Sequence, residues 1–274
     1  MGLLPFAAFA VLFLVLPTVG LFIGAFQDAD GHPTLANIAG LTTPIIANAF
    51  RESILISGAS ALFGAVGGLA LAMALAGPGS PRGLRAAMLT LSGVASNFAG
   101  VPLAFAFLAT IGRVGIVTIL LRDGLGIDIY GGGFNLLAAS GLILVYCYFQ
   151  VPLMVLLIMP AVEGLKREWS EASAMLGATA WQHAWRITVP VLFPSFAGAT
   201  LLLFANAFGA VATAYALTGS FINLVTIVLY SEIRGEVLHD PNLGYALAFG
   251  MVAITGVCNL IYLRMRAFAD RRFR

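Results

Sequence analysis

The residues of this chain that could do chemistry are gathered in one segment, 167–190, with the sequence REWSEASAMLGATAWQHAWRITVP. It contains all three tryptophans and one of the three histidines. None of them has catalytic or metal-ligand spacing: the chain has no His-Glu-x-x-His, and no Gly-rich phosphate loop precedes its one lysine, Lys166. The two cysteines, Cys147 and Cys258, lie in apolar runs. The sequence therefore predicts no catalytic residue, no metal site and no cofactor.

The elements around this segment are apolar runs long enough to cross a membrane. The chain is 60% hydrophobic and 9% charged, with a mean hydropathy of +0.98, whereas a soluble domain has about 25% charged residues. Six runs approach the roughly 20 residues that cross a bilayer as a helix. They predict an all-α, six-helix bundle forming a single transmembrane domain, 1–274, with spans at 3–26, 53–77, 86–112, 136–160, 194–217 and 245–265.

Two of the apolar runs need separate interpretation. Residues 3–26 lack the basic start of a signal peptide and are too long for its apolar core, so an uncleaved first helix is expected. Since no basic residue precedes this helix, either later loops direct its insertion or the beginning of the chain has been trimmed. Residues 221–230 are too short to span and are expected to form a short helix or re-entrant piece on the outer face.

The basic residues predict the orientation of the spans. Placing both termini on the cytoplasmic side of the inner or plasma membrane puts most of the 14 basic residues inside, as the positive-inside rule expects. The formal net charge of +2 gives no reason to expect a nucleic-acid partner. The basic residues left outside are Arg51, Arg113, Arg122 and Arg234.

The long loop between the fourth and fifth spans, 161–193, contains the segment described first. Its pattern predicts two short helices joined at Gly177, where a positive φ or a close approach to a partner would require glycine. Thr179 and Gln182 have the spacing of a capping box that opens the second helix, which is expected to end at Pro190.

The tryptophans favour a simpler interpretation of the same loop. Trp181 and Trp185 lie four residues apart, and tryptophans on an amphipathic helix can anchor it at a membrane surface. An interfacial anchor explains these two side chains, but it does not explain a glycine-hinged pair of helices with Glu171 at its head.

The run EASAMLGATAWQHAWRITVP resembles the cytoplasmic signature of the permease subunits of type I ATP-binding-cassette (ABC) importers. That signature is Glu-Ala-Ala, three residues, Gly, nine residues, Ile, one residue and Leu-Pro. The chain departs from it at two positions, since Ser173 replaces Ala and Val189 replaces Leu, and both changes are small. The residues that match it in place are Glu171, Ala172, Gly177, Ile187 and Pro190.

This resemblance implies that the loop is a coupling element. In such permeases the loop forms a coupling helix that sits in a groove of a separate ATP-hydrolysing subunit. The implied partners are two ABC ATPase subunits, a second permease subunit (a heterodimer being favoured), an extracytoplasmic substrate-binding protein and membrane lipid. The residues it assigns to coupling are Glu171, Ala172, Ser173, Gly177, Ile187 and Pro190.

The interiors of the spans contain essentially no charged residue, which disfavours a proton- or sodium-coupled transporter. Neutral polar residues there either line a pathway or bond between helices, and a stripe of small residues at Ser60, Gly64 and Gly68 favours packing. Pro102 and Pro152 are expected to break their helices. The candidate pathway residues are Asn97, Tyr146, Gln150, Asn206 and Thr213.

The predicted function is the transmembrane subunit of an ATP-driven importer. It would form the translocation pathway and couple it to ATP hydrolysis by a separate subunit. The alternative is an autonomous channel or secondary carrier, and an enzyme is the weakest hypothesis. Residues 97–107 and 212–219 are more similar to the polyamine, phosphonate, iron and thiamine branch of importers than to the sugar branch, so a small polar solute, such as a polyamine or a phosphonate, is expected.

Overall fold

The described part of the chain is mostly helical. A computed structural model describes residues 4–28, 30–77, 79–219, 221–234 and 241–272, in which no β-strand forms beyond an isolated bridge between Gln27 and Pro33. The helices are α1 (Leu4–Ala10), α2 (Leu16–Ala25), α3 (Ala36–Gly40), α4 (Pro44–Ala76), α5 (Arg82–Asn97), α6 (Val101–Ile111), α7 (Ile116–Leu125), α8 (Ala139–Glu163), α9 (Arg167–Met175), α10 (Ala180–His183), α11 (Val189–Phe208), α12 (Val211–Thr218), α13 (Val225–Arg234) and α14 (Pro241–Arg272). Two π-helical segments, Val11–Val15 and Ala184–Thr188, continue the helices before them.

Six stretches of the described chain are long and apolar enough to cross a membrane. This confirms the predicted class, an all-α protein with six membrane-spanning helices. Residues 225–230 of the run at 221–230 lie in α13, a helix of 10 residues that is too short to span a bilayer. The six stretches are Pro5–Ala25, Pro44–Ala76, Val101–Leu125, Ala139–Glu163, Ala180–Phe208 and Asn242–Arg264.

The helices differ from the sequence predictions near Gly100 and Pro102 and again at Pro152. The predicted span 86–112 is divided between α5 and α6, because Gly100 has a φ of +76° and Pro102 lies in the first turn of the next helix, close to where a break was predicted. The predicted break at Pro152 is wrong, since this residue lies inside the continuous helix α8. Burial on neighbouring helices holds α8 together there, because Met154 and Val155 beside the proline are fully buried.

One compact unit of the structure comprises the described residues of 1–54 and 223–257. Here α2 packs on the first half of α14, with the Phe22 and Phe26 rings edge-on to Phe249 at centroid distances of 5.1 and 5.3 Å. The N–H of Val225, at the start of α13, donates to the buried Ser53 hydroxyl at 2.9 Å. This unit therefore combines apolar aromatic contacts with a buried polar bond between distant parts of the sequence.

The second compact unit comprises the described residues of 55–222 and 258–274. Helix α8 lies at its centre and contacts α5, α11 and α12. Gly64 and Gly68 of α4 leave no room for a side chain against Gln150 and Met154 of α8, so the small-residue stripe serves close packing as predicted. The core cluster is Ala61, Ala65, Ala72, Leu75, Met154, Val155, Ile158, Met159, Val162, Leu192, Ala199 and Leu203.

Candidate functional site: the elbow loop and a polar cavity

The predicted glycine hinge is a tight turn between α9 and α10. Gly177 has a φ of +74°, and the N–H groups of Gly177 and Ala178 donate to the carbonyls of Ala174 and Ser173, both at 3.0 Å. These two bonds form a Schellman motif, whose first residue beyond the helix needs a left-handed backbone. No atom lies within 4 Å of the place a Gly177 side chain would take. Glycine is therefore required here by the backbone conformation and not by lack of space.

The helix after the turn begins with the predicted capping box. The Gln182 N–H donates to Thr179 Oγ1 at 3.3 Å, and the Thr179 N–H donates to Gln182 Oε1 at 2.9 Å. These reciprocal bonds satisfy two N–H groups that a helix start would otherwise leave unpaired. The predicted elbow, formed by α9, the turn and α10, is confirmed as a backbone structure.

The predicted end of the second helix at Pro190 is wrong. Helix α10 passes through the π-helical segment Ala184–Thr188 directly into α11, and Pro190 lies in the first turn of α11. A proline removes one N–H from the helical ladder, and the wider π turn just before it accommodates that loss. The elbow is therefore continuous with a helical stretch of 29 residues, Ala180–Phe208.

The residues that match the signature differ in exposure. Glu171 is exposed and lies 3.2 Å from Arg167 Nε, one turn earlier on α9. Ala172 and Pro190 are exposed, whereas Ile187 is half-buried. Since both partners of the Arg167–Glu171 pair are mostly exposed, this ion pair contributes little to the folding of the loop.

An exposed apolar surface surrounds the turn. Met175 and Leu176 are 84% and 87% exposed, and the Trp181 and Trp185 rings form an edge-on pair with centroids 5.6 Å apart. A group of large apolar side chains exposed together is typical of a surface that contacts a protein or a membrane. We call these four residues the elbow knob.

The sequence did not predict a hydrogen bond inside the elbow. Ser173 is buried, and its Oγ lies 2.8 Å from His183 Nδ1. One sequence signal for this bond was available. The signature has alanine at position 173, and this chain has a serine there, whose hydroxyl can form a hydrogen bond.

A polar cavity of about 360 Å³ lies at two helix breaks. The first break separates α5 from α6 at Gly100, and the second separates α11 from α12 at Gly209 and Ala210. Broken helices expose backbone groups that an intact helix would use internally, and in transporters such groups lie at substrate and ion sites. The lining residues are all uncharged: Ser96, Asn97, Ala99, Gly100, Phe149, Asn206, Gly209, Ala210, Val211, Ala212 and Thr213.

Two hydrogen bonds hold the breaks in place. The Gly100 N–H donates to Thr213 Oγ1 at 2.7 Å, across the two breaks. The Tyr146 hydroxyl of α8 donates to the Ala210 carbonyl at 2.9 Å. Thr213 and Tyr146 are both buried, so these bonds replace water as partners of the interrupted backbone.

The structure brings three of the five candidate pathway residues to this cavity. Asn97, Asn206 and Thr213 line it, and Tyr146 fixes the lining carbonyl of Ala210. Gln150 is not among the lining residues.

Gln150 is instead placed between helices. It is fully buried, packs on Gly64, and donates from Nε2 to Ser60 Oγ at 2.9 Å. Its Oε1 has no hydrogen-bond partner among the described residues. The geometry favours the packing alternative for this amide.

The break between α5 and α6 lies directly before Pro102, where the sequence predicted one, but the break between α11 and α12 was missed, although a signal was present. The first break lies in NFAGV (97–101) and the second in NAFGAV (206–211). In both, an asparagine precedes a glycine by three residues and a valine starts the next helix. The repetition of this pattern in two spans could have indicated a shared site.

Comparisons with known proteins agree with this architecture. No family model matches the chain. The chain is 27% identical over 125 residues to the spermidine/putrescine transport system permease protein PotB of Haemophilus influenzae, covering 46% of this chain and 43% of the relative. It is 26% identical over 219 residues to the molybdenum transport system permease protein ModB of Mycobacterium tuberculosis, covering 79% and 78%.

A solved structure shares the fold over nearly the whole chain. It is the crystal structure of a bacterial ABC transporter involved in the import of the acidic polysaccharide alginate, with a TM-score of 0.70 at 20% identity, covering 98% of this chain and 93% of that one. The chain thus shares the fold of a solved bacterial ABC transporter chain. The relatives of this chain are permease subunits of ABC importers, as the signature indicated, and they are not enzymes.

Proposed function

We propose that this chain forms the translocation pathway of an ATP-driven importer and couples it to a separate ATPase subunit through the elbow loop. The cavity between the two helix breaks would be a solute-binding site on the pathway, and the elbow knob would be the surface that contacts the ATPase. The chain would act as one transmembrane domain, 1–274.

The observation that carries this proposal is the unbroken helix between the two sites. Ala180–Phe208 begins at the elbow and ends at the break that lines the cavity. At about 1.5 Å per residue, its 29 residues reach about 40 Å, enough to cross a bilayer. A helix is stiff along its axis, so a displacement of the elbow would move the cavity wall at Asn206.

Two residues of the elbow have distinct proposed roles. Glu171 is hydrated in the isolated chain, and it would serve as a charged anchor in a contact with a cationic or hydrogen-bonding group of the ATPase. Gly177 supplies the left-handed turn that sets the direction of α9 relative to α10. Ala172, Ser173, Ile187 and Pro190 would shape the helices that carry the contact.

The proposed partners are those that the resemblance to importer permeases implies. The chain has no Gly-rich phosphate loop of its own, and two ABC ATPase subunits would supply hydrolysis. A second permease, preferably a different chain, would complete the pathway, and an extracytoplasmic binding protein would deliver the solute.

The proposed orientation places both termini and the elbow loop in the cytoplasm of a cell with this protein in its inner or plasma membrane. Single cysteines at positions 166 and 123, probed on intact cells with a membrane-impermeant thiol reagent, test it. Labelling at position 123 and not at 166 is expected, and the reverse pattern would overturn the orientation.

The proposed solute is small and polar. Amide and hydroxyl groups line the cavity at Asn97, Asn206 and Thr213, and such groups donate and accept hydrogen bonds without selecting one sign of charge. The cavity volume of about 360 Å³ suits a solute of the size of a polyamine or a phosphonate. A binding protein would then select among such solutes.

The decisive experiment is isolation of the chain from its own membranes under mild detergent. The proposal expects an ATPase subunit to copurify and its ATP hydrolysis to rise when the binding protein is added. A chain that purifies without an ATPase, and that conducts solute in liposomes in the absence of ATP, would support the alternative of a channel or secondary carrier.

A further inference from the structure

The two short helices of the elbow are joined by a side-chain hydrogen bond across the turn. Ser173 Oγ on α9 lies 2.8 Å from His183 Nδ1 on α10, and the same Oγ lies 2.9 Å from the Ser170 carbonyl oxygen. Ser173 is buried and His183 is half-buried. The pair is therefore partly shielded from water, which would otherwise compete for both groups.

The contact with Ser170 gives one assignment of the bond to His183. A carbonyl oxygen can only accept, so when Ser170 is the partner the single hydroxyl hydrogen of Ser173 points to it. The imidazole must then donate, which requires a hydrogen on Nδ1. The neutral Nδ1–H tautomer and the imidazolium both meet this requirement, whereas the neutral Nε2–H tautomer does not.

Ser173 also holds the turn through its backbone. Its carbonyl accepts the Ala178 N–H of the Schellman motif at 3.0 Å. One residue thus binds the turn by its main chain and α10 by its side chain. Gly177, between the two helices, has no side-chain contact that could limit bending, because nothing lies within 4 Å of its Cβ position.

We propose that Ser173 and His183 are positioning residues that form a latch between α9 and α10. The latch makes the elbow move as one body, so that a force on α9 passes into α10 and α11 and is not lost by bending at Gly177. This rests on the proposed coupling function. It also assigns a purpose to the serine that stands where the signature has alanine.

A spectroscopic experiment tests the latch without any partner subunit. The full-length chain, labelled with ¹⁵N-histidine and held in lipid nanodiscs, has three histidines to resolve. The His183 signal is identified by its loss in His183→Asn. Neutral His183 is expected to carry its hydrogen on Nδ1 and to shift toward the Nε2–H form in Ser173→Ala; an Nε2–H form in the unmodified chain would overturn the latch.

A functional experiment uses two matched substitutions of the histidine. In asparagine the amide nitrogen can take the place of Nδ1, whereas in glutamine it reaches the place of Nε2. In the assembled importer, Ser173→Ala and His183→Gln are each expected to lower binding-protein-stimulated ATP hydrolysis about fivefold, the factor of one ordinary hydrogen bond. His183→Asn should retain it, and the double variant Ser173→Ala/His183→Gln should be no worse than either single one.

Full stimulated hydrolysis in both Ser173→Ala and His183→Gln would overturn the latch while leaving the importer proposal intact. Failure of the importer proposal has a different signature, since the unmodified chain would then bring no ATPase with it. In that case the histidine spectra still decide whether the bond exists.

Discussion

The backbone N–H of Gly100 donates a 2.7 Å hydrogen bond to the hydroxyl of Thr213, and this bond joins the two helix breaks at the cavity. Thr213 is 1% exposed and Gly100 is half-buried, so the bond is partly shielded from bulk water. Helices α6 and α12, which start at these breaks, also pack against each other. The two breaks are therefore held as one structure, and a movement that reaches α12 also reaches α6.

Replacing Thr213 with valine should remove the hydrogen bond that joins the two helix breaks. Valine keeps the shape but offers no acceptor, and a buried N–H left unpaired costs about 1–3 kcal/mol. We expect a lower thermal unfolding midpoint and reduced uptake in Thr213→Val, measured in nanodiscs and in cells. Thr213→Ser keeps the hydroxyl and should remain close to the unmodified chain; equal behaviour of the two variants would contradict the role of the bond.

Substitution of two amide residues distinguishes a role in the cavity wall from a role in helix packing. Asn206 lines the cavity, so Asn206→Leu should lower uptake while the unfolding midpoint stays near normal. Gln150 is buried between helices, and its Oε1 has no hydrogen-bond partner within the described ranges, so the similarly shaped Gln150→Met should leave uptake unchanged and be neutral or slightly stabilising. Loss of uptake in Gln150→Met, with stability retained, would indicate instead that Gln150 lines the translocation pathway.

The close approach of α4 to α8 predicts a position-specific cost for a single methyl group. At Gly68 an added Cβ would come within 2.7 Å of Met154 Cγ and of the Val151 carbonyl oxygen, whereas at Gly58 nothing lies within 4 Å. Gly68→Ala should therefore destabilise the fold by about 1–3 kcal/mol. Gly58→Ala on the same helix should be neutral or stabilising by up to about 1 kcal/mol. Thermal unfolding of both variants in one detergent measures the difference, and equal midpoints would argue against tight packing.

The turn at Gly177 predicts a backbone effect. Valine in a left-handed conformation costs about 1–2 kcal/mol, and a β-branched residue tolerates it poorly. Gly177→Val should insert and express normally but lose most stimulated ATP hydrolysis, because α9 would be redirected. Asparagine visits this conformation more readily, so Gly177→Asn should retain more activity. If Gly177→Val is as active as the unmodified chain, the direction of α9 is irrelevant to coupling.

The sequence predicted those features that depend on local chemistry. Apolar runs of about 20 residues are visible in composition, so six spans could be expected. The capping box at Thr179 and the left-handed turn at Gly177 depend on neighbours within a few residues, and both are present.

The features that sequence analysis missed depend on distant contacts. A break at Gly209 and Ala210 inside an apolar run does not change hydropathy, and the Ala210 carbonyl is bonded by Tyr146, 64 positions away. Pro152 was expected to break α8, but packing on neighbouring helices keeps that helix continuous. The place of Gln150 between helices likewise depends on Ser60, 90 positions earlier.

The central claim is that the elbow couples the cavity to a separate ATPase, and Glu171→Arg tests it most directly. In the isolated chain Glu171 is exposed and pairs with Arg167 on the same helix, so folding and membrane insertion should be unaffected. In a protein interface, loss of one member of a buried charge pair costs about 2–5 kcal/mol. We therefore predict normal expression, poor recovery of the ATPase subunit and loss of binding-protein-stimulated hydrolysis, with Trp185→Phe as a mild control. Full ATPase recovery and full stimulated hydrolysis in Glu171→Arg would contradict the coupling role of the elbow.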